Sequence, residues 1–255
     1  MNVSAYLERI NFKKKVETDK STLFELQRAH LLSVPFENLD IHYNREIVLD
    51  TNIIFEKIVT HKRGGFCHEL NGLFYTLLKE IGFNVHLVSA RVYSEKNQYG
   101  KEFGHMAIFA TINEEQFLVD VGFGRFSFAP LPIIIDKPHT DEYGVFVFDH
   151  YDDDYLRVCT QENGILIPQY IFSPKSRKLS EFKNMCHYQQ TSVESHFTQK
   201  KVISISTPNG RVTLNNTKIK IIDGAKTEEI EFNEDQFEVL LKNYFDIVMK
   251  IGESK

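Results

Sequence analysis

The spacing of apolar residues changes near residue 83, and this change constrains the fold more than any other feature of the sequence. Up to residue 82 the apolar residues recur at helical spacing, as in the stretch from Leu70 to Leu78. From residue 84 they form short apolar or alternating runs that are typical of strands, and the last third of the chain mixes both patterns. The sequence therefore predicts an α+β protein whose two or three subdomains pack as one body.

Three helices are predicted before residue 83. Ser21 and Thr22 open the first helix, and a short second helix can be capped by Asp50. The third helix begins at about Cys67 and ends at Gly82, because glycine readily adopts the left-handed conformation that commonly follows a helix.

Strands dominate the middle of the chain. The predicted strands cover residues 85–88, 105–110, 117–121, 145–148 and 164–171. The acidic run at residues 149–154 is interpreted as a solvated turn, because its spacing is not that of a calcium-binding loop. A short helix is predicted within residues 174–187.

The last third of the chain contains strands, turns and a terminal helix. A strand is predicted at residues 202–205, followed by a type I′ hairpin turn at Asn209 and Gly210. Asp223 and Gly224 mark a second turn. An amphipathic helix capped by Asn233 is predicted to close the chain and to end at Gly252.

Composition excludes several classes of protein. The 255 residues are 42% hydrophobic and carry a net charge of −5, which argues against a disordered chain and against a basic nucleic-acid binder. The sequence has no apolar stretch of membrane-spanning length and no signal-peptide core, so we expect a soluble, cytoplasmic protein without a membrane partner. Three cysteines are too few for a disulfide framework and lack metal-ligand spacing, which favours a reducing compartment and predicts no metal.

Residues 63–71 are the segment most informative about chemistry. Two glycines precede Cys67 at the predicted start of a helix, where free N–H groups and a partial positive charge favour a thiolate. The same N–H groups could stabilise an oxyanion. A small buried hydrophobic residue is the alternative interpretation of Cys67. It is the favoured interpretation of Cys159 and Cys186, which have no glycine turn beside them.

A cysteine nucleophile needs a histidine base, and the histidine needs an orienting carboxylate. His105 lies on an apolar predicted strand, and Asp120, which is costly to bury without a partner, lies on the next one. A connecting loop of two or four residues would place the two side chains on one face, and with Asn113 and Glu114 as the loop they become diagonal neighbours. A three-residue loop would place them on opposite faces. The alternative is a buried structural pair without chemistry.

Two other segments carry less specific signals. Residues 122–125 match neither a P-loop nor a dinucleotide-binding motif, but their backbone N–H groups and Arg125 could approach a phosphate. A plain glycine turn has at least equal weight. Residues 35–40, with two carboxylates around an amide, are interpreted as a polar structural turn rather than an acid–base pair.

These motifs together resemble those of the arylamine N-acetyltransferases, of the bacterial type. The matching segments, in order, are residues 35–40 (PFENLD), 63–67 (RGGFC) with 69–71 (ELN), 104–106 (GHM), 119–124 (VDVGFG), 187–191 (HYQQT) with 195–198 (SHFT), and 210–214 (GRVTL). The resemblance implies that Cys67, His105 and Asp120 form a Cys-His-Asp triad. His68 departs from the commonest pattern, in which an aromatic or other residue follows the nucleophile, and the chain has no Trp.

The resemblance also implies a domain organisation like that of cysteine proteases. A helical domain at residues 1–83 carries the nucleophile, a β-barrel-like domain at residues 84–188 carries the histidine and the aspartate, and a smaller α/β lid covers residues 189–255. The implied reaction moves an acetyl group from acetyl-CoA, as co-substrate, to an arylamine or arylhydrazine by a ping-pong route through an acetyl-cysteine thioester. We expect a monomer or weak homo-oligomer.

The matching motifs also suggest residues that contact the substrates. Phe36, Phe123 and Phe197 are predicted to lie near the acceptor, and Gly124 and Arg125 near the coenzyme. Two other functions stay open at this point. One is a cysteine hydrolase or transglutaminase-like enzyme with the same triad, and the other is a non-enzymatic ligand-binding protein that keeps the fold.

Overall fold

Helices occupy the first part of the chain, as the helical spacing predicts. The structure is a computed structural model that describes residues 1–94 and 98–249. Its α-helices are α1 (Val3–Arg9), α2 (Lys20–Ser33), α3 (Leu39–His42), α4 (Thr51–Phe55), α5 (Cys67–Ile81), α6 (Lys183–Thr191), α7 (His196–Gln199) and α8 (Phe237–Phe245). A π-helical turn, Glu56–Thr60, continues α4, and the 3₁₀ turns Leu179–Phe182 and Glu234–Gln236 precede α6 and α8.

Caps explain where the N-terminal helices begin and end. The helix α5 begins at Cys67 and ends before Gly82, whose φ is +108°, as predicted. The carboxylate of Asp50 accepts two N–H groups at the start of α4, which confirms that cap. The cap of α2 is Asp19, which accepts the N–H of Thr22, so the expected start at residues 21–22 is one to two residues late.

Strands follow from residue 84 onwards, apart from a two-residue strand near the start. They are β1 (Phe36–Glu37), β2 (Asn84–Ser94), β3 (Gln98–Tyr99), β4 (His105–Ile112), β5 (Glu115–Val119), β6 (Leu131–Pro132), β7 (His139–Asp141), β8 (Gly144–His150), β9 (Leu156–Glu162), β10 (Ile165–Phe172), β11 (Val202–Thr207), β12 (Gly210–Asn215), β13 (Lys218–Asp223) and β14 (Lys226–Glu231).

The larger sheet has the order β6-β5-β4-β2-β10-β9-β8-β7, with β3 beside β2. Its neighbouring strands are antiparallel. Side chains from seven strands, from Leu131 on β6 to Phe146 on β8, meet in one buried cluster, so the sheet curls into a near-closed barrel. The other face of β2 and β4 packs on the N-terminal helices, which share one core with it. The predicted domain boundaries at residues 83 and 188 stay predictions.

The strand β9 is absent from the sequence-based expectation. It contains Arg157, Thr160 and Gln161, and only Val158 and Cys159 of its seven residues are fully buried, so its apolar pattern is weak. Backbone pairing with β8 and β10 on either side holds these residues in a strand although their apolar pattern is weak. The helix predicted within residues 174–187 also extends further, since α6 continues to Thr191.

The smaller sheet, β1-β11-β12-β13-β14, corrects one turn. Thr207 pairs with Gly210, so the loop between β11 and β12 is Pro208 and Asn209. Proline holds φ negative, whereas a type I′ turn needs positive φ at both central residues, and the predicted type I′ turn is therefore wrong. Glycine is needed at position 210 for another reason: a Cβ there would lie 2.0 Å from the carbonyl oxygen of Ile222.

The terminal helix is shorter than predicted. Asn233 caps it through a 3₁₀ turn, but α8 ends at Phe245 because Asp246 adopts a left-handed φ of +54°. The chain then leaves the helix and buries Ile247 and Met249 in the core of the smaller sheet. The predicted stop, Gly252, lies outside the described residues.

Candidate active site

The hairpin β4–β5 brings His105 and Asp120 together. Its loop is Asn113 and Glu114, whose φ angles of +47° and +69° are those that a type I′ turn requires. Of the loop lengths that the sequence left open, the structure has the two-residue loop, for which His105 and Asp120 were expected to share a face. Nε2 of His105 lies 2.7 Å from Oδ2 of Asp120.

Asp120 is buried among hydrogen-bond donors. Its Oδ2 also accepts the hydroxyl of Tyr170 at 2.9 Å, and its Oδ1 accepts Nδ2 of Asn71 at 2.9 Å and the N–H of Gly122 at 2.8 Å. Burial alone would raise the pKa of Asp120, but the neighbouring imidazole, the Asn71 amide and the Gly122 N–H outweigh it and hold the pKa below its usual range. Asp120 is thus a carboxylate that orients the His105 ring.

His105 is held in its charged form. Burial disfavours an imidazolium, but the Asp120 carboxylate, and after it the Cys67 side chain, raise the pKa of His105 to about 10. Because Nε2 binds Asp120, Nδ1 is the ring nitrogen left for Cys67. The order Cys67, His105, Asp120 is the arrangement expected of an activated cysteine nucleophile.

Cys67 is the first residue of α5 and is 3% exposed. Glycines surround it because other backbone segments approach closely. A Cβ at Gly64 would lie 2.0 Å from the carbonyl oxygen of Pro35, and a Cβ at Gly122 would lie 2.8 Å from Cα of Cys67. This segment, residues 63–67, is called the nucleophile loop after the candidate role of Cys67, and it is held between the start of β1 and the end of the β4–β5 hairpin.

The strand β1 links this loop to the smaller sheet. Phe36 forms a bridge with Gly65 on one side and pairs with Ser204 of β11 on the other. Asn38, directly after β1, accepts the N–H of Val202 at 2.8 Å and donates to the carbonyl oxygens of Phe197, within α7, and of Lys200, directly after it. One short strand thus fixes the nucleophile loop to the C-terminal part of the chain.

A buried ion network lies under the same loop. Arg63 binds Glu37 at 2.7 Å and Asp40 at 2.9 Å, and Lys57 binds Asp40 at 2.7 Å and Glu69 at 2.8 Å. Burial raises the pKa of Glu69 to about 7, although Lys57 partly offsets it. The carboxylates of residues 35–40 belong to this network and do not line the cavity at Cys67, which agrees with their interpretation as structural.

A cavity of about 450 Å³ opens beside the candidate triad. Cys67 and His105 both line it, together with the three aromatic residues predicted to contact the acceptor, Phe36, Phe123 and Phe197. A larger cleft of about 810 Å³ lies against the ion network, but neither Cys67 nor His105 lines it. Because Cys67 and His105 line it, the smaller cavity is the candidate active site despite its smaller volume.

The residues predicted to hold the coenzyme lie outside the lining of this cavity. Arg125 is exposed, and its guanidinium lies 6.0 Å from the ring of Tyr143. The carbonyl oxygen of Gly124 accepts a hydrogen bond from the buried Arg211 at 2.6 Å. Gly124 has a φ of +91° and open space where a Cβ would stand, so a ligand can approach its backbone.

The other two cysteines do not line the cavity. Burial raises the pKa of Cys159 to about 11 and that of Cys186 to about 12, so both are thiols at neutral pH. Over residues 1–94 and 98–249, no three His, Cys, Asp or Glu side chains are grouped to hold a metal ion. In the same ranges, no helix combines the length and the apolar character that crossing a membrane requires.

Two residues of the site escape sequence reasoning. Tyr170 and Asn71 both bind Asp120, yet each is about 50 positions away from it in the chain. Asn71 belongs to the ELN part of the nucleophile motif, one turn of helix after Cys67, and that spacing is the only local signal of its role.

Known proteins resemble this chain over almost its full length. A family model described as N-acetyltransferase matches residues 19–253. Human arylamine N-acetyltransferase 1 is 33% identical over 278 aligned positions, which cover 98% of this chain and 95% of the human protein.

Solved structures give the same result. The arylamine N-acetyltransferase of Mycobacterium smegmatis superposes with a TM-score of 0.89 at 27% identity, over 97% of this chain and 92% of that one. An arylamine N-acetyltransferase from Bacillus cereus, described as having a unique Cys-His-Glu catalytic triad, superposes with a TM-score of 0.88 at 25% identity, over 98% of this chain and 100% of that one. The resemblance inferred from the sequence motifs is confirmed, and the chain belongs to the arylamine N-acetyltransferase family.

Proposed function

We propose that this enzyme transfers an acetyl group from acetyl-CoA to the nitrogen of an arylamine or arylhydrazine through an acetyl thioester on Cys67. The observation that carries the proposal is the shared cavity of Cys67 and His105, with Asp120 bound to the far side of the His105 ring. In this arrangement Cys67 is the nucleophile, His105 the acid and base, and Asp120 the group that orients His105.

The first half-reaction loads the cysteine. The Cys67 thiolate attacks the carbonyl carbon of the acetyl group, and free N–H groups at the start of α5 stabilise the oxyanion. When the carbon–sulfur bond to the coenzyme breaks, the leaving thiolate takes the proton of the His105 imidazolium. The products are free coenzyme A, neutral His105 and acetyl-Cys67.

The second half-reaction transfers the acetyl group to the acceptor. The amine nitrogen attacks the thioester, His105 accepts a proton from that nitrogen, and the thiolate of Cys67 departs. An arylamine suits this step because it is neutral at pH 7, whereas an alkylamine is mostly protonated. Phe36, Phe123 and Phe197 supply the aromatic walls, and the ring of Phe123 lies edge-on to His105 at 5.1 Å.

The remaining parts of the proposal concern the coenzyme and the lid. Gly124 and Arg125 are proposed to hold coenzyme phosphates, supported by the exposure of Arg125 and the open space at Gly124. Residues 189–255 are proposed to act as a lid, supported by the position of Phe197 in the cavity wall. Three free cysteines support a cytoplasmic location.

Mass spectrometry tests the proposal directly. Mixing the enzyme with acetyl-CoA and no acceptor should add one acetyl group, and peptide mapping should place it on Cys67. The Cys67→Ala variant should gain none, whereas Cys186→Ala, the matched control, should be acetylated like the wild type. Acetylation elsewhere, or none, contradicts the proposal. Full-rate hydrolysis of a p-nitrophenyl ester without an arylamine would instead indicate a cysteine hydrolase.

A further inference from the structure

A strained turn precedes His105. The N–H of Gly104 donates to the carbonyl oxygen of Lys101 at 3.1 Å, which closes a four-residue β-turn. Phe103, at the third position of this turn, has a φ of +62°, a left-handed conformation that is strained for a residue other than glycine. Since His105 is two residues further on, whatever holds Phe103 in this conformation also sets where β4 begins.

Side chains from three different elements hold the turn. Ser89 on β2 accepts the N–H of Phe103 at 2.8 Å, and Gln189 on α6 donates to the carbonyl oxygen of Gly104 at 2.7 Å. The third is His68 on α5, whose Nε2 lies 3.0 Å from the carbonyl oxygen of Phe103. This last contact joins the residue after the nucleophile to the turn that leads into His105.

The state of His68 makes it a donor in this contact. His68 is fully buried, and burial lowers its pKa to about 3, so the ring is neutral at pH 7. A neutral imidazole carries one N–H, and only Nε2–H can satisfy the Phe103 carbonyl. The ring packs against Phe66 at 5.1 Å and Phe182 at 5.3 Å. A phenyl ring could fill this space, so packing alone does not account for a histidine.

We propose that His68 is a positioning residue whose hydrogen bond to Phe103 fixes His105 against Cys67. The helix α5 then carries both the nucleophile and the group that aligns its partner, so one element sets the spacing of the reacting pair. The inference rests on the proposed pairing of Cys67 with His105, but its test needs neither acetyl-CoA nor an acceptor.

The test measures alkylation of Cys67 by iodoacetamide, followed by peptide mass spectrometry, between pH 6 and pH 9. His68→Phe keeps the ring and removes the donor, and it should slow alkylation about tenfold at pH 6–7 and less at pH 9, where a free thiol ionises without help. His68→Gln keeps a donor near the position of Nε2 and should alkylate within about threefold of the wild type.

A second buried histidine provides the matched control. His30 is fully buried and neutral, binds Tyr6 and packs on Phe74, so His30→Phe removes a comparable hydrogen bond away from the turn. It should alkylate like the wild type even if its melting temperature falls. Wild-type alkylation in His68→Phe, or equal slowing in His68→Phe and His68→Gln, would overturn the proposal.

Two further comparisons keep the test decisive. If His68→Phe does not fold, His68→Leu removes the same donor with a smaller apolar side chain and should slow alkylation at pH 6–7, whereas unchanged alkylation overturns the proposal. Failure of acetyl transfer in the wild type, with the alkylation pattern as expected, would refute the proposed function and leave the role of His68 intact.

Discussion

The hydroxyl of Tyr170 binds the same oxygen of Asp120 that binds His105. Three donors besides His105 therefore satisfy this buried carboxylate, and they keep it ionised and fixed in direction. The proposed mechanism therefore separates two tasks: His105 moves protons, and the surrounding donors keep Asp120 still.

Replacing Asp120 should abolish most of the activity. In Asp120→Asn the side chain keeps its shape but loses the charge that stabilises the imidazolium, and kcat/KM should fall about 10³- to 10⁴-fold. Steady-state acetylation of an arylamine measures the loss. Tyr170→Phe is the control, because the other donors to Asp120 remain, and its loss should not exceed about tenfold. Similar losses in both variants would contradict this division of tasks.

A methyl group at position 122 should displace the nucleophile. The Cβ of Gly122→Ala would lie 2.8 Å from both Cα of Cys67 and Nδ2 of Asn71. A displacement of about 1 Å can cost about 100-fold in rate, so we expect at least that loss in single-turnover acetylation. Gly100→Ala is the control, because its Cβ would only contact the Val92 carbonyl oxygen at 3.5 Å in the same cavity wall. Wild-type rates in Gly122→Ala would contradict this prediction, because the site would then accommodate the methyl group without displacing Cys67.

His30 predicts a specific loss of stability in acid. Burial lowers its pKa from 6.5 to about 3, so below pH 6.5 the unfolded chain binds a proton that the folded chain does not. The stabilisation is present above pH 6.5 and is lost as the pH falls towards 3, by up to about 1.4 kcal/mol per pH unit. Urea unfolding at pH 7 and pH 4.5 should show a smaller acid loss in His30→Gln than in the wild type. Equal losses would contradict a neutral His30.

Two hairpins use the same turn with different residues. Glu114 and Gly164 occupy the second loop position of type I′ turns, with φ of +69° and +80°. Glu114→Gly relieves the left-handed strain, but the entropy that glycine adds to the unfolded chain offsets part of this gain. The net effect should be a stabilisation of about 0.5 kcal/mol. Gly164→Glu should destabilise it by a similar amount. Thermal unfolding measures both, and a destabilised Glu114→Gly would contradict the argument.

The site was predictable where it depends on local rules. A two-residue loop fixes the register of a hairpin, and the register decides whether His105 and Asp120 share a face. A pair of glycines before a helical pattern similarly placed Cys67 at the start of α5. Both signals need only neighbouring residues, so one sequence suffices to see them.

The rest depends on contacts between distant parts of the chain. Tyr170 reaches Asp120 only because the barrel closes, and Glu37 reaches Arg63 only because β1 crosses the nucleophile loop. The end of α8 was missed because the burial of Ile247 and Met249 outweighs the helical pattern. No local propensity encodes such contacts, which tertiary packing selects.

The short strand β1 also sets an order of events during synthesis. The loop of Cys67 is synthesised early. It contacts Phe36 of β1, which in turn pairs with β11, and β11 is synthesised only after all strands of the barrel. During synthesis, the chain therefore contains Cys67 before the strand β11 that supports its loop. Strand pairing between such distant parts of a chain forms late in folding. The surroundings of Cys67 are therefore completed only after β11 has been synthesised.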